Sequence, residues 1–390
     1  MALSATLLGL DCTATGERYA PDHTGRSDAG APLTPVYDRD AVDAGALPTD
    51  PDSMWAYDAL LPVDAADAVS AVEGATPLLD APELAADLGV GDLLLKDEGR
   101  NPTGTVFDRG LSTAVTMAAR HGTDLLALAA PGDAGQSAAA YAGRIDTDCY
   151  VYLPSRAPFP NKAMVNVHGA DMRVIGGRYA DALDALESSL ERDWYSLQAF
   201  TTPYRHDGYK TLAYEVAAER DWTAPDAAVI AVGTGEILVG IAQGFRDLQA
   251  LGLTDHVPRL YAVQPDGCAP IVEAHRRGDG SIESIDHPDT ICGELELPAP
   301  AGGALALDAI ESSDGGAVAV ADENVLESAV TLTQRLGTEV GVVGGAAAAG
   351  SWALAEDGAF GADETVLVVN ADAGVKTADV LRSHLMGQGV

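Results

Sequence analysis

Between Asp92 and Glu191 short apolar runs alternate with helical stretches, and few folds accept that order. Apolar strands are predicted at 92–96, Leu125–Ala129, Cys149–Leu153 and Met172–Ile175. Helices are predicted at 108–120, Gly135–Arg144, Asn161–His168 and Tyr179–Glu191. This is βαβ spacing, which calls for a parallel sheet with helices on both faces. Further buried strands are predicted at Ala227–Val232, Leu260–Gln264, Val318–Val320 and Thr365–Val369, with helices at Asp322–Leu336 and Gly345–Ala355. Residues 279–316 read as variable loops. The run Leu93–Gly110, LLLKDEGRNPTGTVFDRG, joins a strand to a helix through an Asn-Pro-Thr-Gly turn. A strand, a Gly/Pro turn and a helix N-terminus in that order can hold an anion or a cofactor on backbone N–H groups.

The chain has 390 residues, enough for two or three domains. It carries 59 acidic and 23 basic side chains, a formal charge of -36. Its lysines are Lys96, Lys162, Lys210 and Lys376. Acid spread along the whole chain suits a high-salt solvent, where the screening length shrinks to roughly 3 Å. It argues against nucleic acid and anionic membrane as partners. Cys12, Cys149, Cys268 and Cys292 are widely spaced and show neither metal spacing nor a disulfide framework. Residues 1–20 lack a basic start followed by an apolar run. No uncharged apolar stretch reaches the roughly 18 residues of a membrane span, Val340–Ala355 coming nearest. These features predict a soluble cytoplasmic protein.

The opening run resembles that of the threonine synthase family, which uses pyridoxal phosphate (PLP) and writes the stretch LKDEGxNPTGSFKDRG. Gly74-Ala75-Thr76-Pro77-Leu78, Tyr209-Lys210-Thr211-Leu212-Ala213-Tyr214-Glu215 and Asp266-Gly267-Cys268-Ala269-Pro270-Ile271 are similar to further motifs of that family. The resemblance runs from about residue 70 to 380. It implies PLP fold-type II, the tryptophan synthase beta-like α/β fold, with two parallel-sheet domains and a cleft between them. It implies a large domain from 71–105 and 201–390, and a smaller mobile domain at 106–200. Residues 1–70 are expected to be a degenerate zinc-ribbon-like or flexible extension. Cys12 keeps one cysteine of a first zinc knuckle, and the second knuckle, near Arg26–Gly30, has none. A structural zinc needs about four ligands, so no metal is expected.

The resemblance also assigns a site, and this chain departs from it at each part. Phe107 stands where the family has the lysine that forms the Schiff base and shuttles protons. The phosphate-binding glycine turn becomes Gly233-Thr234-Gly235-Glu236, with a carboxylate where the family has glycine. Glu236 is read as capping the helix dipole and filling the phosphate position itself. The loop that holds the substrate carboxylate becomes Ala130-Pro131-Gly132-Asp133, with Asp133 also readable as an ordinary helix N-cap. Ala371 replaces the hydroxyl residue that meets the pyridine nitrogen. Gly345-Ala346-Ala347-Ala348 lacks the family's glutamate.

Three readings follow. In the first, the chain is a non-catalytic regulatory or partner paralogue with no cofactor, forming a homodimer or a heteromer with an active relative. In the second, it is an active PLP-dependent lyase, turning O-phosphohomoserine into threonine with Lys210 or Lys162 as a relocated base. In the third, it is a small-molecule sensor or non-PLP enzyme, with Asp108, Arg109, Asp133 and Glu236 around an amine or cation.

Overall fold

The computed structural model describes residues 1–191 and 193–387. The chain divides into two compact units. The first comprises Met1–Ala75, Phe107–Trp222 and Gln243–Asp255, and the second Thr76–Val106, Thr223–Ala242 and His256–Val390.

The first unit holds a four-stranded parallel sheet, ordered Asp171–Ile175, Asp148–Pro154, Leu125–Ala129, Tyr195–Ser196. One face is covered by Phe107–His121, Asp133–Arg144 and Phe159–Val167, whose Leu111, Val115, Ala138 and Val165 are buried with Leu126, Leu128, Val151 and Leu153. The helix Tyr179–Ser189 covers the other face through Ala182 and Leu186. The same unit carries a three-stranded antiparallel sheet from Leu7–Cys12, Arg18–Tyr19 and Leu33–Tyr37.

Glu73 organises the stretch that leads out of this N-terminal part. It is fully buried. Its carboxylate accepts from Trp55 Nε1 at 2.7 Å, Ser112 Oγ at 2.5 Å, Tyr141 Oη at 2.7 Å and the Ala71 N–H at 2.7 Å. The neighbouring Val72 is held at φ +67°, a conformation a β-branched residue enters only when its surroundings force it. Glu73→Ala takes the acceptor from the buried Tyr141 hydroxyl and leaves Trp55 Nε1 and Ser112 Oγ with Ser112 Oγ and the Val69 carbonyl as their remaining acceptors, and is expected to cost about 2–3 kcal/mol, measured by urea unfolding. Glu73→Gln, which keeps the shape, should cost less.

The second unit holds a six-stranded sheet ordered Gly316–Val320, Arg259–Pro265, Ala227–Ala231, Thr365–Asn370, Asp92–Asp97, Leu78–Asp80. All neighbours are parallel except the last pair. The Ala-rich helix runs Val342–Glu356. Its glycines exist for close approach: a Cβ on Gly350 would meet Val263 Cγ2 at 2.2 Å, and one on Gly345 the Val325 carbonyl at 2.5 Å.

The predicted strands and long helices all form, with ends displaced by a few residues. Residues 279–316 are not wholly loop, since Gly303–Ser312 is a helix. Its Ala306, Leu307, Ala309 and Ile310 are buried, so small alanines carry a helical stripe that a search for large apolar residues passes over. No helix among the described residues is long and apolar enough to cross a membrane. With a formal charge of -36, thermal stability should rise steeply from about 0.1 M to molar KCl as self-repulsion is screened, which a melting series would measure.

Candidate functional site

Parallel sheets bind ligands beyond the C-terminal ends of strands where the strand order reverses. In the second unit that reversal lies between Ala227–Ala231 and Thr365–Asn370. Gly233–Glu236 follow the first strand and Ala371–Asp372 the second, so these candidate residues share one sheet edge. Gly235 has φ +94°, and a Cβ there would sit 3.0 Å from the Gly302 carbonyl oxygen. The Gly302 N–H donates to the Thr234 carbonyl at 2.8 Å, fixing the turn against residues 294–302. Glu236 is the first residue of the helix Glu236–Ala250 and is buried. Its charge lies at the positive end of the helix dipole. Glu294 and Glu296 are also buried, and the Glu294 carbonyl comes within 3.4 Å of a Cβ built on Gly233. Sequence reasoning passed over this pair. The signal was GELELP, in which glutamates alternate with leucines in a stretch taken for loop.

Ala371 is buried, and its carbonyl accepts from the Val106 N–H at 2.8 Å. Its methyl group brings no hydrogen-bonding atom. The LKDEG motif just upstream serves the framework. Lys96 Nζ donates to the Thr76 carbonyl at 2.5 Å, Asn370 Nδ2 to Asp97 at 2.8 Å, and Asn101 Nδ2 to Glu98 at 2.8 Å.

In the first unit the reversal lies between Leu125–Ala129 and Tyr195–Ser196. Gln198 Oε1 accepts the Ala129 N–H at 2.9 Å across it. Asp133 begins the helix Asp133–Arg144. The N-cap is Gly132, so the N-cap reading of Asp133 is off by one residue; its carboxylate accepts the N–H of Ala134 at 2.9 Å from inside the first turn. Phe107 begins the helix Phe107–His121. Its ring is half-buried on the sheet core, edge-on to Tyr209 at 6.4 Å and under the Arg205 guanidinium at 5.5 Å. Asp108 accepts from Ser137 Oγ at 2.5 Å, which draws the starts of the Phe107 and Asp133 helices together.

Arg109 has a structural partner that the sequence did not suggest. It is fully buried and meets Glu215 through Nη1–Oε1 at 2.6 Å and Nη2–Oε2 at 2.7 Å. Lys210 is buried as well. Its Nζ lies 2.5 Å from Asp207 Oδ1 and 3.8 Å from the centroid of the Tyr37 ring, while Tyr37 Oη donates to Asp207 Oδ2 at 2.6 Å. Lys162 Nζ donates to the Ser155 carbonyl at 2.9 Å. Lys376 is buried, its Cε 3.3 Å from a Cβ built on Gly104. Near the N-terminus, Cys12 Sγ lies 3.3 Å from Ser27 Oγ, within the second-knuckle stretch. Hydrogen bonds from Ser27 and then Thr15 bring its thiol down to about 7.

His206 gives a pH signature to this unit. Burial, then the Lys210 charge, lower its imidazole to about 3 from an ordinary 6.5. Between those values the unfolded chain binds a proton that the folded chain does not. His206 therefore stabilises nothing extra above pH 6.5 and costs stability as pH falls towards 3, by up to about 1.4 kcal/mol per pH unit. Asp207, raised by burial, works in the opposite direction. Comparing wild type with His206→Phe isolates the histidine: the variant's stability should fall less on acidification, measured by urea unfolding between about pH 4 and 7.

A family described as pyridoxal-phosphate dependent enzyme matches residues 69–372. The threonine synthase of Methanocaldococcus jannaschii is 32% identical over 375 residues, covering 94% of this chain and 93% of that protein. That of Methanosarcina acetivorans is 33% identical over 365 residues, 92% and 90% of the two chains. Among solved structures, maize serine racemase aligns with a TM-score of 0.68 at 15% identity, covering 80% of this chain and 92% of that one. The processed threonine deaminase isoform 2 of Solanum lycopersicum aligns with a TM-score of 0.66 at 20% identity, over 79% and 82%. These two likenesses speak for the fold alone.

The expectation of no cofactor is corrected by these matches, which point to PLP. The residues present do not fit the family's covalent way of holding it. Phe107 has no amine, the Ala371 side chain has no hydrogen-bonding atom, and Glu236 puts a buried carboxylate directly after Gly233-Thr234-Gly235.

Proposed function

The chain belongs to the pyridoxal-phosphate-dependent enzymes, in the threonine synthase family, and we propose that it is a member that meets PLP without a covalent link at position 107. On this reading it has lost the conversion of O-phosphohomoserine to threonine and serves as a regulatory or partner paralogue. Phe107 is the observation that carries it. A Schiff base needs an amine, and a half-buried aromatic ring supplies none. The environments of the lysines add support: Lys96 and Lys162 donate to backbone carbonyls, and Lys210 is ion-paired with Asp207.

A second reading has one specific observation in its favour. Identity of 32–33% with threonine synthases over more than nine-tenths of the chain favours an active lyase with a relocated lysine. Lys210 is its best candidate, since it follows Tyr209, whose ring meets Phe107. Releasing it would strand the buried Asp207 carboxylate, at a cost of about 3–5 kcal/mol. Complementation of a threonine auxotroph separates the readings. Soluble, folded protein should fail to rescue growth, and rescue that is lost in Lys210→Ala would establish the relocated base instead.

A further inference from the structure

The second unit has a cavity that takes no residue from the candidate cofactor site. The helices Asp322–Leu336, Val342–Glu356 and Pro82–Leu88 all contribute to its wall, and its volume is about 350 Å³. Ligand cavities run from roughly 300 to 1,000 Å³, so a small organic molecule has room there. Positions 324, 328, 331 and 335 line it from one helix, and 349, 353 and 356 from the next. Residues three and four apart share a side of a helix, so each set is one stripe.

Three features of the wall say what it takes. Trp352 borders both this cavity and an inner apolar gap lined by Leu84, Leu332 and Leu336, so its indole is anchored in the core and still meets solvent. Ser328 is only 9% exposed, and its hydroxyl has no hydrogen-bond partner among the described residues. Buried hydroxyls are ordinarily bonded, so this one is left for a molecule that enters the cavity. Charge sets the class of that molecule. Asp87 and Arg335 pair with each other, so their charges cancel. Glu327 and Glu356 are exposed, and neither carboxylate has a cation partner among the described residues. Two uncompensated negative charges therefore stand beside an indole ring. No cluster of three or more His, Cys, Asp or Glu among the described residues is suited to a metal ion. The arrangement suits an organic dication, whose ammonium groups meet the carboxylates and the ring while its methylene stem packs on the indole.

We propose that this cavity binds an aliphatic diamine or polyamine, with Glu327 and Glu356 on its ammonium groups, Trp352 against its stem and Ser328 Oγ accepting from an ammonium N–H. The site stands or falls independently of the chemistry at position 107. The test titrates spermidine into the full-length protein in molar KCl and follows the heat. Salt at that strength screens the chain's overall charge to roughly 3 Å, which suppresses a polycation that merely gathers around acidic surface. Wild type should bind one spermidine saturably. The double variant Glu327→Gln, Glu356→Gln should bind at least about tenfold more weakly, with an unchanged circular dichroism spectrum. The double variant Glu311→Gln, Asp363→Asn removes the same charge from exposed positions elsewhere on the second unit and should match wild type. As a second readout, spermidine should shift the tryptophan emission of wild type and leave that of Trp352→Phe unmoved. Binding that does not saturate, several spermidines per chain, or equal loss in the two double variants overturns the proposal. So does an emission shift that survives in Trp352→Phe.

Discussion

Glu215→Ala is expected to destabilise the first unit by about 3–5 kcal/mol. Arg109 and Glu215 are both buried, and the two oxygens of the carboxylate meet the two terminal nitrogens of the guanidinium. Glu215 Oε1 also accepts the Ala75 N–H at 2.9 Å, where Ala75 is held at φ +50°. Removing the carboxylate leaves a full positive charge in a dry interior, and that penalty is larger than the net worth of the intact pair. Two controls sharpen the reading. Glu215→Gln should cost less because it still accepts hydrogen bonds. The double variant Arg109→Met, Glu215→Leu should recover much of the loss, because neither charge remains to be desolvated. Urea unfolding of wild type, Arg109→Met, Glu215→Leu and the double variant provides the cycle; a double variant as unstable as the sum of its singles would contradict the pairing.

Phe107→Lys should create what the wild type lacks. The helix start at 107 is already formed, with its ring site bordered by Tyr209 and Arg205. A lysine there brings an amine to the position at which the resemblance puts the family's lysine, without disturbing Asp108 or Arg109, whose partners lie elsewhere. Borohydride should then fix PLP on residue 107, and PLP should be held at least about tenfold more tightly than by wild type, a gain of roughly 1.4 kcal/mol. Threonine formation should stay absent, because Asp133, Glu236 and Ala371 are unchanged. If Phe107→Lys alone restores turnover, those three positions matter less than their chemistry suggests.

The fold was readable because its strands alternate with helices at a spacing that only a parallel α/β sheet satisfies, and because the connecting turns carry glycines where backbones approach. Phe107, Glu236 and Ala371 stood out in the sequence for a different reason: each stands inside a motif whose neighbours match the family pattern, which marks a departure without assigning it a role. Partnerships across the sequence were not readable. Arg109 looked available for a ligand, yet it is taken by Glu215. Lys210 reads as a framework, ion-pairing lysine first and a relocated base second, and it is ion-paired, but the sequence did not name its partners Asp207 and the Tyr37 ring. Such pairs join residues a hundred or more positions apart, or ones three apart whose facing depends on the turn, and periodicity reports neither. Glu73 was missed because a lone acid before a glycine says nothing of the five donors that converge on it.

The most direct test of the central claim adds PLP to the wild-type protein in high salt, reduces with borohydride, maps the peptides by mass and assays threonine release from O-phosphohomoserine. The account predicts a reversible spectral change that dialysis removes, no lysine carrying PLP, and no threonine. PLP fixed on Lys210 or another lysine together with threonine release would contradict it and identify the residue that took over from position 107.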